Sequence, residues 1–394
     1  MESNNLLTKK NEITNLKEAL THETLISVDT EFIRETTFFP KIALIQIGTS
    51  DKTWLVDPSV LSKQDLEPLL TILLDPKVLK VMHAAYADQE CFFYTYQMIA
   101  EPILDTAVAA ALCGMGDNIG LAKLTRELMG VVLPKGRARA KWLQRPLSND
   151  LLNYASLDVK YLVAIGEKLK ETLQSKSRLE WAFEESFVDT SYFEESPESI
   201  ASRIGKNHHM DSQGHPILVE LVRWREQRAR EANLPRNWVA DNEVLLALCK
   251  VRPKTFEELK TFRGLNVKEV ERSHLKILEA VQVGLKAEPV HRRPPERSYL
   301  IPSSEAGHIV DFIQTYISYL AHHLEIAPRF LMNVTQTEQL VNQWGKEITE
   351  WISSGILSRR AADLIGNELK GLLSGKKALA VKDSKLQVLE LSLS

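Results

Sequence analysis

The chain has 394 residues, 44% hydrophobic and 26% charged, which is enough for two or three domains with separate cores. A net charge of −3 excludes a chain that is basic all over, so a nucleic-acid partner would have to be held by local patches and released steeply by salt. No apolar run reaches the roughly 18–20 residues of a membrane span, and Cys91, Cys113 and Cys249 form no CxxC pair, which argues against a disulfide framework or a zinc site.

The N-terminus, MESNNLLTKKNEITNL, is polar and acid-bearing and reads as neither secretory signal nor Arg-rich transit peptide, so a cytoplasmic protein is expected. Strand-like and helix-like segments then alternate over about 175 residues. TLISVDTEFI, KIALIQIGT and TWLVDP read as strands, followed by a helix near Gln64–Leu74. VLKVMHAA is the next strand, with a helix through Asp88–Met98. LDTAVAAALCG and GLAKLTRELMG read as helices closed by Gly114 and Gly130. SNDLLNYASLDVKYLVAIGEKLKETLQ reads as one long helix capped by Ser148, with an apolar stripe at 151, 152, 155, 159, 162 and 163. Strands first and helices later predict an α/β domain, a mixed sheet flanked by helices, over 1–178.

Residues 179–202 hold seven acids and no base, and 179–212 reads as an acidic connector. An all-helical block is expected at 213–287, a Pro-rich linker at 288–302 and another all-helical block at 303–380.

The acids carry the chemistry. In the strand LISVDTEF, Asp29 and Glu31 are two residues apart, so they share a face roughly 6–7 Å apart. At an effective dielectric of about 20 their repulsion is on the order of 2–3 kcal/mol, which a shared proton or an intervening cation relieves. Asp88, in HAAYADQECFF, falls in the first turn of a helix at the C-terminal edge of a strand, where ligands of open sheets collect. Tyr154 and Asp158, four apart on one helix, stack on a common face. Singly, each has a plain structural explanation: DxE as ordinary strand alternation, Asp88 as an acid favoured by the helix dipole, Asp105 as a helix cap, His83 as a core residue. Four carboxylates meeting in one place would suit two Mg²⁺ or Mn²⁺ ions about 3.5–4 Å apart, the arrangement used for in-line phosphoryl displacement.

The ordered set VDTEF, HAAYADQECF and YASLDVKYL resembles the three motifs of the DEDD exonuclease superfamily, and within it the tyrosine subclass and the ribonuclease D family. ALIQI, LDTAVAAAL and KWLQRPL also resemble segments of that family. LVRWREQRAREANLPRNWVADNEVLLALCKVRPKTFEELKTFRGL resembles the first of its C-terminal helicase-and-RNase-D (HRDC) domains, and the last block resembles a second, divergent copy. The resemblance implies an RNase H-like fold, two divalent ions, and 3′→5′ hydrolysis of RNA to nucleoside 5′-monophosphates, with tRNA precursors bearing 3′ extensions as substrates. A monomer acting without a small-molecule cofactor is expected. Asp29, Glu31, Asp88 and Asp158 would be the metal ligands, and Tyr154 would position the attacking water.

Family members often carry Ser after the Lys and Asp before the Trp of the segment that here reads PKGRARAKW, where this chain has Gly136 and Lys141. The loop alternates charge with small residues and reads as a phosphate contact. The expected substrate-binding set is Phe32, His83, Lys135, Arg137, Arg139, Lys141 and Trp142, with Arg225 and Arg228 from the first helical block. Two other readings stay open: a DNA 3′→5′ exonuclease of the same superfamily, and a non-catalytic RNA-binding protein.

Overall fold

A computed structural model describes residues 6–134, 136–137, 140–206, 208–290, 303–343 and 345–391. The nuclease-like region begins with β1 (Leu6–Leu7), α1 (Lys10–Ala19), β2 (Leu25–Ile33), β3 (Lys41–Gly48) and β4 (Thr53–Val56). It continues with α2 (Lys63–Leu73), β5 (Leu79–Met82), α3 (Tyr86–Tyr96), β6 (Ile103–Asp105), α4 (Thr106–Leu112), α5 (Leu121–Met129), α6 (Asn149–Lys160) and α7 (Leu162–Ser175). The strands form one sheet in the order β1-β4-β3-β2-β5-β6. β2, β3 and β4 are antiparallel neighbours, while β5 and β6 run parallel to β2.

Both faces are covered. Ile26, Val28, Ile45 and Ile47 bury one face under α1, α2 and α3. Leu44 and Leu55 bury the other with Leu152 and Ala155 of α6, and Val81 meets Val159 and Leu162. The long helix expected from 149 onward is two helices broken at Tyr161, whose φ of −104° and ψ of −9° end the first and start the second. β6 was expected as part of the helix that follows it; three buried residues are too few to show strand alternation.

The acid-rich segment is helical in part and contributes to two cores. α8 (Leu179–Ser186) buries Trp181 and Ala182, and α9 (Pro197–Ile204) buries Ile200, Ala201 and Ile204. Its acids pair outward, Glu184 with Arg360, Glu195 with Arg203 and Glu198 with Arg223. The next block comprises α10 (Gly214–Ala232), α11 (Arg236–Val239), α12 (Asn242–Val251), α13 (Phe256–Lys260) and α14 (Val267–Lys286). Phe38, from the loop between β2 and β3, is buried in that block's core, with the guanidinium groups of Arg230 and Arg236 over its ring at 4.9 and 4.5 Å.

The last block, α15 (Ser303–His323), α16 (Val334–Asn342), α17 (Ile348–Ser353) and α18 (Arg359–Leu373), shares one continuous core with α4, α7 and α8. All-helical structure was expected to 380, but a strand starts at Lys377. β7 (Lys377–Lys382) and β8 (Lys385–Glu390) form a hairpin around Asp383 and Ser384, both at positive φ. Most of the Pro-rich linker, with His291, Arg292, Arg293 and Arg297, lies outside the described residues.

Candidate active site

β2 outruns β5, pairing with it only at Leu25–Ser27, so the strand edge beyond has no partner strand. Asp88 fills that edge. One of its oxygens accepts the Thr30 N–H at 3.1 Å and the Thr30 hydroxyl at 2.5 Å. The turn leading into α3 is held by Asp105, which takes the N–H groups of Ala84 and Ala85 at 2.9 and 2.8 Å and also caps α4 through Ala107 N–H. Ala84 sits at φ 55°, a conformation that this pair of bonds supports.

α6 brings the other pair. Ser27 Oγ donates to the carbonyl of Val159 at 2.8 Å, which fixes the neighbouring Asp158 against the β2 face that bears Asp29 and Glu31. Gly48 makes that approach possible: a Cβ there would stand 2.4 Å from Ser27 Oγ and 3.1 Å from the Val159 carbonyl oxygen. The Tyr154 hydroxyl donates to the Asp158 carboxylate and accepts from the backbone N–H of Arg137. Trp142 is fully buried and packs on the Tyr154 ring at 6.1 Å.

The four acids feel one another. Burial, then the charges of Asp88, Asp158 and Glu31, hold the Asp29 carboxyl well above the usual range. Burial, then Asp158 and Asp88, push Glu31 up to about 8. Burial raises Asp88 to about 7 against the Thr30 hydrogen bonds, and raises Asp158 to about 7 against the Tyr154 hydroxyl. The charged groups that set these values are all acids. Among the described residues no three acid, His or Cys side chains already close around a point fit for an ion. Asp88 is instead turned onto Thr30. Buried oxygen donors without a counter-charge nonetheless fit a hard divalent cation, whose charge would offset their mutual repulsion.

The other expected residues divide. Phe32 and Lys141 line an open cavity of about 490 Å³ with Arg34 and Leu143. Arg137 is exposed, and a Cβ at Gly136 would lie 3.7 Å from the Tyr154 hydroxyl, in ordinary contact. Lys135 and Arg139 lie outside the described residues. His83 Nδ1 stands 2.9 Å from Thr106 Oγ1, and burial lowers its pKa. Three assignments need correction. Trp142 has no exposed surface for RNA and supports Tyr154 instead. Arg225 is 3% exposed and bonds Asn242 Oδ1 at 2.8 Å and Glu226. Arg228 is bidentate on the buried Glu269 at 2.8 and 3.3 Å. Both arginines hold α10 to its neighbours. Thr30, Ser27 and Gly48 were missed as parts of the site's frame, and of these only Thr30, set between the two acids, carries a local signal; Asp105 is the helix cap that was expected and in addition holds the turn before α3.

Residues 5–174 match the model of the 3′-5′ exonuclease family, and residues 215–281 match the HRDC domain. A ribonuclease D of Pseudomonas paraeruginosa is 33% identical over 258 residues, covering 65% of this chain and 68% of that protein. The chain belongs to the ribonuclease D family. A ribonuclease D of Bartonella henselae is 28% identical over 392 residues, 98% of this chain and 94% of that one. The crystal structure of Escherichia coli RNase D, described as an exoribonuclease involved in structured RNA processing, superposes with a TM-score of 0.76 at 27% identity, covering 94% of this chain and 98% of that one. The sheet with its flanking helices is the RNase H-like exonuclease fold, and a ribonuclease D of this kind is a 3′→5′ exoribonuclease dependent on divalent metal. No helix among the described residues is long and apolar enough to cross a membrane.

Proposed function

We propose that Asp29, Glu31, Asp88 and Asp158 hold two divalent ions, Mg²⁺ or Mn²⁺, and that the chain removes nucleoside 5′-monophosphates one at a time from RNA 3′ ends. The observation that carries this reading is four carboxylates gathered around β2, Glu31 and Asp88 buried and Asp29 and Asp158 half-buried, each raised first by burial, with the neighbouring acids raising Asp29 and Glu31 further. Bound ions would supply a water acidic enough to attack at neutral pH and would neutralise charge on the leaving 3′ oxygen. Asp29, Glu31 and Asp158 would hold one ion and Asp29 with Asp88 would hold the other. Tyr154, anchored by Asp158 and Arg137, holds the attacking water in line rather than taking its proton, because burial keeps the phenol well above its usual pKa. Phe32, His83, Arg137 and Lys141 are the substrate contacts in this reading.

The substrates in this reading are tRNA precursors with 3′ extensions, met in the cytoplasm by a monomer. Its support is the structured-RNA role stated for the E. coli enzyme and the helical blocks beside the nuclease region. We divide the chain into an exonuclease domain at 1–178, a first HRDC domain at 213–287 and a second, HRDC-like block from 303. Asp29→Asn tests the reading: nucleotide release with Mn²⁺ should vanish while RNA binding persists. Equal release by the variant removes the assignment, and faster loss of a matched DNA strand would favour the DNA exonuclease.

A further inference from the structure

Gln46 lies on β3 directly opposite Asp29 on β2. Opposed residues of an antiparallel pair project to the same face, their Cβ atoms roughly 4.5–5.5 Å apart. That this is the face under α6 follows from the next pair on it, Ser27 and Gly48, both of which touch Val159. Gln46 has no exposed surface, and neither its amide oxygen nor its amide nitrogen has a hydrogen-bond partner among the described residues. The Trp142 ring nitrogen nearby is an orphan of one atom; Gln46 leaves both ends of its amide bare.

A strand position in the middle of Ile45, Ile47 and Leu44 is filled more stably by an aliphatic side chain, because a buried amide without partners keeps its full desolvation cost. The amide has two donors and an acceptor. The Asp29 carboxylate across the pair offers acceptor lone pairs, and the Gln46 N–H groups are the neutral donors set opposite it.

We propose that Gln46 is a positioning residue for Asp29: its amide engages the ionised carboxylate, directly or through one water, and orients it toward a bound divalent cation. The inference rests on the metal-site reading above. The amide adds no charge, so it orients the acid without competing with the ion. Partners of this kind behind a metal-ligating carboxylate typically change metal affinity by roughly 10- to 100-fold when removed.

The test is Gln46→Met, with Gln46→Leu as a second apolar replacement, each measured in the full chain alongside Asp29→Asn. Mn²⁺ binding is followed by titration calorimetry, and metal-free thermal stability by scanning calorimetry. We expect the Gln46 variants to bind Mn²⁺ roughly 10-fold more weakly, while the metal-free protein melts about 2–4 °C higher for want of an orphaned amide. The kcat should fall at fixed Mn²⁺ with little change in KM for RNA. Unchanged Mn²⁺ affinity overturns the proposal. So does a variant that is less stable or fails to fold, since that would mean the amide already has a structural partner. If Asp29→Asn itself binds Mn²⁺ like the wild type, the metal-site reading falls. If Asp29→Asn loses binding and the Gln46 variants do not, only the present inference does.

Discussion

Thr30 gives both its backbone N–H and its hydroxyl to a single oxygen of Asp88, at 3.1 and 2.5 Å, so the residue between the two strand acids is what holds the third acid beside them. The Thr30 bonds lower a carboxyl that burial raises. Thr30→Val keeps the shape and the backbone bond but removes the hydroxyl. The variant should lose about 1–3 kcal/mol of stability in denaturant unfolding. The acidic limb of its activity profile should move to higher pH, as Asp88 becomes harder to ionise.

The acids set a pH signature for the metal-free protein. Their native pKa values, about 8 for Glu31 and about 7 for Asp88 and Asp158, lie above those of the unfolded chain, near 4. The fold therefore binds more protons than the unfolded chain across that interval. The stability these groups lend is complete below about pH 4 and declines as pH rises through 7 to 8. Cations favour the ionised acids, so the rise in melting temperature on adding Mn²⁺ should grow steadily from pH 6 to pH 8.5. Chelation with EDTA should abolish activity and remove that increment.

Tyr154 and Trp142 should separate chemistry from support. Tyr154→Phe removes the hydroxyl bonded to Asp158 and Arg137 but leaves the ring on Trp142. The kcat should drop about 10²-fold or more with KM for RNA little changed, checked by single-turnover release of mononucleotide. Trp142→Ala should instead cost about 3–5 kcal/mol in unfolding experiments, because it empties a fully buried ring site. A Trp142→Ala protein of normal stability and weak RNA binding would restore the substrate-contact assignment.

The last block is joined to the nuclease region by Arg178, whose guanidinium donates to the carbonyls of Leu112, Leu324 and Glu325 at 2.7–2.8 Å. Arg178→Leu leaves three carbonyls without that donor and should cost about 2–4 kcal/mol. Truncation after residue 290 would strip Trp181, Leu112 and Leu173 of the helices that cover them. The shortened protein should be aggregation-prone and readily proteolysed, which limited trypsin digestion would show.

How far the sequence carried these conclusions depended on whether the signal was local. The strand period joins Asp29 to Glu31 and the helix period joins Tyr154 to Asp158, so both pairs are visible in a dozen letters. What joins the pairs is not: Ser27 meets Val159 across 132 positions, and the need for Gly48 exists only because of that meeting. Charge misled in both directions. Acids along 179–202 masked the buried Trp181 and Ile200, and the basic run of α10 suggested RNA contact where Arg225 and Arg228 serve buried partners. Gln46 sits in an aliphatic strand and has no pattern of its own; the register with β2 gives it meaning.

In the proposed site Asp29, Glu31, Asp88 and Asp158 share divalent cations. An anomalous difference map at the manganese edge, from crystals grown with Mn²⁺ above pH 8, would locate them. Peaks are expected among these four carboxylates, with Asp88 turned away from Thr30 toward them. Crystals of the ordered protein in saturating Mn²⁺ that show no peak between β2, α3 and α6 would contradict that assignment.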